Sequence, residues 1–250
     1  MRATGQRHRA RQALVDDQRG WAGLLAEAAR EGASQPQRIC QLCVSMLGVT
    51  GAGISMVTTT GNRGVVCATD DISAQIEDLQ FTLGEGPCID AVHAGAPVLV
   101  PDLSEPGDII VERWPAFMEG AATVGVKAVF AFPLRIGAIG VGALDLYRNR
   151  AGELDAGQLP AALMAADAAA LALLHLDASG QYAFSDDVDT RSTFQLQVHQ
   201  ATGMVQVQLG VTTEEAFLML RARAFANGRP LVELATDVVA RRLSFSTEDQ

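Results

Sequence analysis

Between Gly51 and Tyr147 the chain carries five short β-prone runs, Ile54–Thr60, Gly64–Ala68, Pro97–Val100, Ala128–Leu134 and Ile139–Tyr147, each closed off by glycine or a polar break. Segments of helical character, Ser73–Leu79, Cys88–Ala94 and Trp114–Val124, separate them. Gly61-Asn62 and the stretch Arg135–Gly140 read as hairpin connections, which only antiparallel neighbours can use. Strands in one block with helices around them predict an α+β fold: an antiparallel sheet with flanking helices.

The flanks are helical. Trp21–Ala29 and Pro36–Leu47 form two helices, the second opened by Ser34 before Pro36 and stopped by Gly48. Arg2, Arg7, Arg9 and Arg11 precede them, a frayed lead-in or a basic arm. After the sheet, Leu159, Leu163, Ala166, Ala170 and Leu173 step by four and three along one helix. A homodimer seam is the preferred reading of that stripe; packing on the chain's own sheet gives the same pattern. Ser179–Thr190, with Asp186, Asp187 and Asp189, reads as a linker.

A small all-α module of three helices closes the chain. Phe194, Val198, Ala201, Val205 and Leu209 give the first helix one apolar stripe, and Gly210 stands where a left-handed cap belongs. Thr212 and Glu215 have capping-box spacing at the start of the second helix, whose inner face holds Phe217, Leu220 and Ala224 and which stops at Asn227-Gly228. Pro230 opens the third, with Leu231, Leu234, Ala235, Val238 and Val239 on one face. The resulting division is a lead-in and helix at 1–35, a sheet domain at 36–178, a linker at 179–190 and the three-helix module at 191–246.

Charge is unevenly spread. The 250 residues carry a net −10, yet residues 190–250 hold six arginines against six acidic side chains, so the last quarter is neutral and can present a basic face. No secretory leader is legible, and Cys40, Cys43, Cys67 and Cys88 are too few for a disulfide scaffold, so the expected compartment is a reducing cytoplasm. The most apolar stretch, Ala161–Leu176, is interrupted by Asp167 and falls short of the roughly 18 residues of a membrane span, so no membrane association is expected.

Catalytic machinery is not visible. His8, His93, His175 and His199 have no nucleophile elbow to serve, and Asp102 and Asp145 stand without a carboxylate partner at known spacing. Walker, Rossmann and His-Glu-x-x-His patterns are missing from the sequence. Cys40-x-x-Cys43 is half of a zinc site with no second half, and buried packing is the expected role of these thiols. Cys67 and Cys88 could form a redox pair in a cavity. Neither a metal nor a cofactor is expected, and the chain does not read as an enzyme.

Four sequence pieces carry a resemblance: Leu83-Gly84-Glu85-Gly86-Pro87-Cys88, Pro97-Val98-Leu99-Val100-Pro101-Asp102-Leu103, Phe132-Pro133-Leu134, and Ile139-Gly140-Val141-Gly142-Ala143-Leu144. In this order they resemble the GAF sensor domain from about Pro36 to Leu176. The resemblance implies helices on one side of the sheet and a loop-lined ligand cavity on the other, with Phe81, Cys88, Phe130 and Phe132 toward a small-molecule ligand. The Asn-Lys-x-x-Phe pattern of cyclic-nucleotide-binding members is missing.

The C-terminal module resembles the ANTAR domain through Val198-His199-Gln200-Ala201-Thr202-Gly203-Met204-Val205, Glu214-Glu215-Ala216-Phe217 with Leu220-Arg221, and Asn227 followed by Pro230-Leu231, Leu234-Ala235 and Val238-Val239. That family, as the resemblance implies, binds paired stem-loops in leader RNA and prevents a transcription terminator from forming. The residues agree with RNA binding of this kind, since Gln195, Gln197, His199, Gln200, Thr202 and Gln206 give one helix a polar, nearly uncharged face. Gly203 suggests close approach by a helix or a ligand, and Arg221, Arg223 and Arg229, with Asn227, can meet phosphate. The expected RNA-binding set is therefore His199, Gln200, Thr202, Gly203, Arg221, Arg223, Asn227 and Arg229, in a homodimer.

Two other readings compete. Some proteins resembling the first domain reduce free methionine sulfoxide with cavity cysteines, which Cys67 and Cys88 could imitate. A DNA-binding helix-turn-helix is the other, but its recognition helix would begin Pro230-Leu231-Val232-Glu233, poor in base-reading side chains. A phosphorylated receiver does not fit, since Lys127 is the sole lysine and the Asp70-Asp71 pair precedes a helix.

Overall fold

A computed structural model describes residues 20–28, 35–57, 63–105, 107–178, 191–229 and 231–246. The arginine lead-in, the Gly61-Asn62 turn, the linker and Pro230 lie outside the described residues, as do the side chains of His175, Phe194 and Gln195.

Helices α1 (20–28) and α2 (Gln35–Leu47) precede the first hairpin, β1 (Gly51–Val57) and β2 (Arg63–Ala68). Helices α3 (Asp71–Leu83) and α4 (Pro87–Ala94) lead to β3 (Val98–Val100), and α5 (Asp108–Arg113) and α6 (Pro115–Thr123) to β4 (Ala128–Ile136) and β5 (Ile139–Arg148). The five strands form one antiparallel sheet in the order β2-β1-β5-β4-β3. Helix α7 (Gln158–Ala178) closes this domain, and α8 (Arg191–Leu209), α9 (Thr213–Ala226) and α10 (Leu231–Val239) form the C-terminal module. The expected α+β class holds. Helix α5 has no counterpart among the expected segments; its Asp108-Ile109-Ile110-Val111 is rich in β-branched residues that favour strands.

Strand alternation divides the core in two. Phe130, Phe132 and Leu134 of β4, Leu144 and Leu146 of β5, and Ala52 and Ile54 of β1 turn to one face, packed under α1, α2 and α7 with Cys40, Cys43 and Cys67. Val129 and Tyr147 turn to the other, against Ile76 of α3 and Trp114 and Phe117 around α6. Helices therefore cover both faces, a departure from the expected open cavity on the second.

The α7 stripe follows the packing alternative. Ala162, Ala165, Ala166, Ala169, Ala170 and Leu173 are buried against the domain's own core, and their small side chains bring α7 close to the sheet. Leu163, Leu171 and Leu174 remain outward on the same helix.

Local signals account for the helix ends. Asp70 and Ser73 form a capping box on α3, and Thr212 and Glu215 form the expected one on α9. Gly210 ends α8 at φ +67°, the left-handed conformation expected of it. Val198, Ala201, Val205, Leu220, Leu231, Leu234 and Val238 make a separate core for the C-terminal module, closed by Phe245.

Candidate functional site

Two places concentrate chemistry: the sheet face beneath α3 and α4, and the surface of the C-terminal module.

Under α3 the sheet face is polar and buried. Asp145 of β5, Glu77 and Gln80 of α3, Ser55 of β1 and Cys88 of α4 are all buried. The Gln80 amide donates to Asp145 Oδ2 at 2.9 Å, and its carbonyl oxygen accepts the Cys88 N–H at 2.7 Å. Ser55 Oγ lies 3.4 Å from Cys88 Sγ. Glu77 Oε1 and Asp145 Oδ1 have no donor. Gly53 makes room, since a Cβ there would stand 2.6 Å from Glu77 Oε1.

Burial pushes the Glu77 carboxyl well above the usual carboxylate range, and the neighbouring Asp145 adds to it. Burial also raises Asp145 to about 6, against the stabilising donation from Gln80. Cysteine chemistry is muted on the opposite face. Cys40 and Cys67 lie sulfur to sulfur at 3.5 Å, and burial raises the Cys40 thiol and carries Cys43 up to about 12. Thiols held protonated are poor nucleophiles.

Of the four residues expected around a ligand, only Cys88 lies on this inner face. Phe130 and Phe132 belong to the opposite face with α2 and α7, one step out of phase along β4, where Arg148 lies 5.4 Å over the Phe130 ring. Phe81 points out of the domain to the C-terminal module, its ring 5.2 Å from that of Phe217. Cys67 and Cys88 lie on different faces and do not form the cavity pair that a thiol reductase would need. Asp145 is not isolated; Glu77, for which the sequence suggests no role, is its partner.

The module's expected RNA contacts are also only partly available. Thr202 is buried, and its hydroxyl donates to the Val198 carbonyl one turn back at 2.7 Å, so it is not a surface contact. Nothing stands within 4 Å of a Cβ placed on Gly203, so no helix among the described residues approaches it. Gly203 instead floors a shallow groove with Gln200, Met204, Val207 and Leu243. His199 and Asn227 are exposed.

Each of the three expected arginines has an occupied guanidinium. Arg221 donates to the Thr82 and Leu83 carbonyls at the C-terminus of α3, where Gly84 at φ +67° lacks the Cβ that would collide with it. Arg223 lies 4.8 Å over the Phe245 ring. Arg229 pairs with Asp237 at 2.7 Å, and Asp237 holds Arg242 at 2.7 Å as well, which lowers the Asp237 carboxyl below its ordinary value. No helix among the described residues is long and apolar enough to cross a membrane.

Residues 37–174 match the GAF domain family and residues 187–239 the ANTAR domain. No curated protein matches the chain. Among solved structures, the GAF domain of an Acinetobacter phosphoenolpyruvate-protein phosphotransferase superposes with a TM-score of 0.50 at 10% identity, covering 67% of this chain and 96% of that one. A type II free methionine-R-sulfoxide reductase from Thermoplasma acidophilum gives 0.45 at 18% identity, over 60% of this chain and 96% of that one. These identities speak for the fold alone. The chain belongs to the GAF domain family, carries an ANTAR domain after it, and has the architecture of a regulator that joins a sensory domain to an RNA-binding output.

Proposed function

We propose that this protein is a signal-responsive transcription antiterminator: the GAF domain senses, and the ANTAR module of a homodimer binds paired stem-loops in leader RNA. The match of the C-terminal module to the ANTAR domain carries this reading. His199, Gln200 and Gly203 on α8 would meet unstacked bases, while Arg221, Arg223 and Arg229, with Asn227 beside them, would hold phosphate.

The contact between the two parts supports a gated output. Arg221 and Phe217 of α9 rest on α3 of the sensor, the helix that also carries Glu77 and Gln80 into the polar core. A change in that core that moves α3 would change what holds Arg221. In the docked arrangement its guanidinium is committed to backbone carbonyls, so RNA contact through Arg221 requires release.

Dimerisation would use the outward leucines of α7. Leu163, Leu171 and Leu174 share one exposed side with Asp167, and two tethered modules compensate for few phosphate contacts by effective concentration. An electrophoretic shift with paired-hairpin RNA, single hairpins and duplex DNA tests the reading. Selective retardation of the paired hairpins is expected; equal weak binding to every nucleic acid offered would refute it.

A further inference from the structure

We propose that Glu77, Cys88 and Asp145 form a binding site for one divalent transition-metal ion of the zinc class inside the GAF domain. Their ligand atoms, supplied by α3, α4 and β5, lie within 4.8 Å of one another, and all three residues are buried.

Two carboxyls set the requirement. Glu77 Oε1 and Asp145 Oδ1 receive no hydrogen bond, and among the described residues no basic side chain pairs with either group. Buried carboxylate oxygens without a donor need a positive charge close by, either a shared proton or a metal ion. A shared proton serves the two oxygens, with the Cys88 thiol hydrogen-bonded to Asp145; a metal ion takes all three groups as ligands at once.

The donor set selects the ion. A thiolate disfavours magnesium and calcium, which take oxygen ligands, and two carboxylates with one thiolate suit the borderline ions of which zinc is the commonest. Tetrahedral bonds of about 2.0 Å to oxygen and 2.3 Å to sulfur place ligand atoms roughly 3.3–3.8 Å apart, so the three donors close by about 1 Å around the ion. Ser55, whose hydroxyl stands 3.4 Å from the Cys88 sulfur, or a water supplies the fourth position. Binding displaces the Cys88 thiol proton and the protons of the carboxyl pair to solvent, with no change of oxidation state.

The surrounding residues are arranged as supports for such a site. Gln80 is bonded at one end to Asp145 Oδ2 and at the other to the Cys88 backbone, fixing two of the three ligands relative to each other. Gly53 leaves the space that the Glu77 carboxylate occupies. No spacing in the sequence betrays the site, because the ligands stand on three separate elements.

The test uses the full chain, stripped with a chelator and titrated with cobalt(II) and then zinc, and needs no RNA. One equivalent of cobalt is expected to bind with a thiolate-to-cobalt charge-transfer band in the near ultraviolet, and zinc to displace it. Cys88→Ser should abolish the band, Asp145→Asn should weaken cobalt binding at least tenfold, and Cys67→Ser should leave both unchanged. X-ray absorption at the zinc edge of the unmodified chain should count one sulfur among light-atom ligands, a readout that holds even if Cys88→Ser folds poorly. Failure to bind metal, with an infrared band of protonated carboxyl at neutral pH, would mean a shared proton only and overturn the proposal. A cobalt band that survives Cys88→Ser, or a sulfur count other than one, would overturn it equally.

Discussion

Arg221 Nε donates to the Thr82 carbonyl at 2.5 Å, joining the second helix of the ANTAR module to the last turn of α3 in the sensor. Helix C-termini present unpaired carbonyls and partial negative charge, so a guanidinium placed there is a charge-assisted cap. The contact hides a basic side chain and secures the output module to the sensor at once.

Phe81→Ala removes the aromatic half of this contact while leaving Arg221 intact. Aromatic pairs contribute about 0.5–1.5 kcal/mol beyond area burial, so docking should weaken several-fold. The expected result is faster proteolysis between α7 and α8 and a several-fold gain in affinity for hairpin RNA. Unchanged RNA affinity alongside faster cleavage would show that docking does not mask the binding surface.

Asp237 holds Arg229 and Arg242 together near the surface. Asp237→Asn should cost little stability, as the loss of an exposed ion pair generally does. It frees Arg242 and leaves Arg229 with only its longer contact to Glu233 at 3.8 Å, so RNA binding at low salt should strengthen and its salt dependence steepen. Filter binding across a salt series measures both.

Leu220 is fully buried in the core of the C-terminal module. Leu220→Ala should cost about 2–5 kcal/mol, enough to unfold a small module while the sensor stays folded. Two separated calorimetric transitions, with only the C-terminal one displaced, would be the outcome.

The buried carboxyls set a pH dependence for the metal-free chain. Both Glu77 and Asp145 are raised on folding, Asp145 from 3.8 to about 6, so between these values the folded state binds more protons than the unfolded one. Stability is therefore fully held below about pH 4 as far as Asp145 is concerned, and it falls as pH rises toward and through 6. The loss from Asp145 is on the order of 3 kcal/mol at two pKa units. Asp145→Asn should flatten the profile, which urea unfolding between pH 4 and pH 8 would measure.

Much of the fold is legible because its punctuation is local. The five strands, the Thr212–Glu215 capping box and the Gly210 stop follow from residue types a few positions apart. The orientation of β4 is not legible, because Ala128-Val129-Phe130-Ala131-Phe132 is buried on both faces, and a strand without polar alternation does not say which side faces which layer. The expectation for Phe130 and Phe132 fails for that reason. Glu77 escapes a sequence reading because a carboxylate beside Asp78 reads as helix surface. Yet Ser73, Glu77 and Gln80, at spacings of four and three, occupy the core-facing side of α3, and polar residues at apolar positions are the available signal. Thr202 presents the same difficulty in reverse, since its hydroxyl can turn back on its own helix and leave the surface.

The amide of Gln80 has two ends of opposite character, and both are engaged: the nitrogen with a carboxylate, the oxygen with the first turn of the following helix. A glutamate in its place could serve only one of them. Gln80 thus ties Asp145 of the sheet to the entrance of α4, and it does so from the last turns of α3, next to the carbonyls on which Arg221 rests.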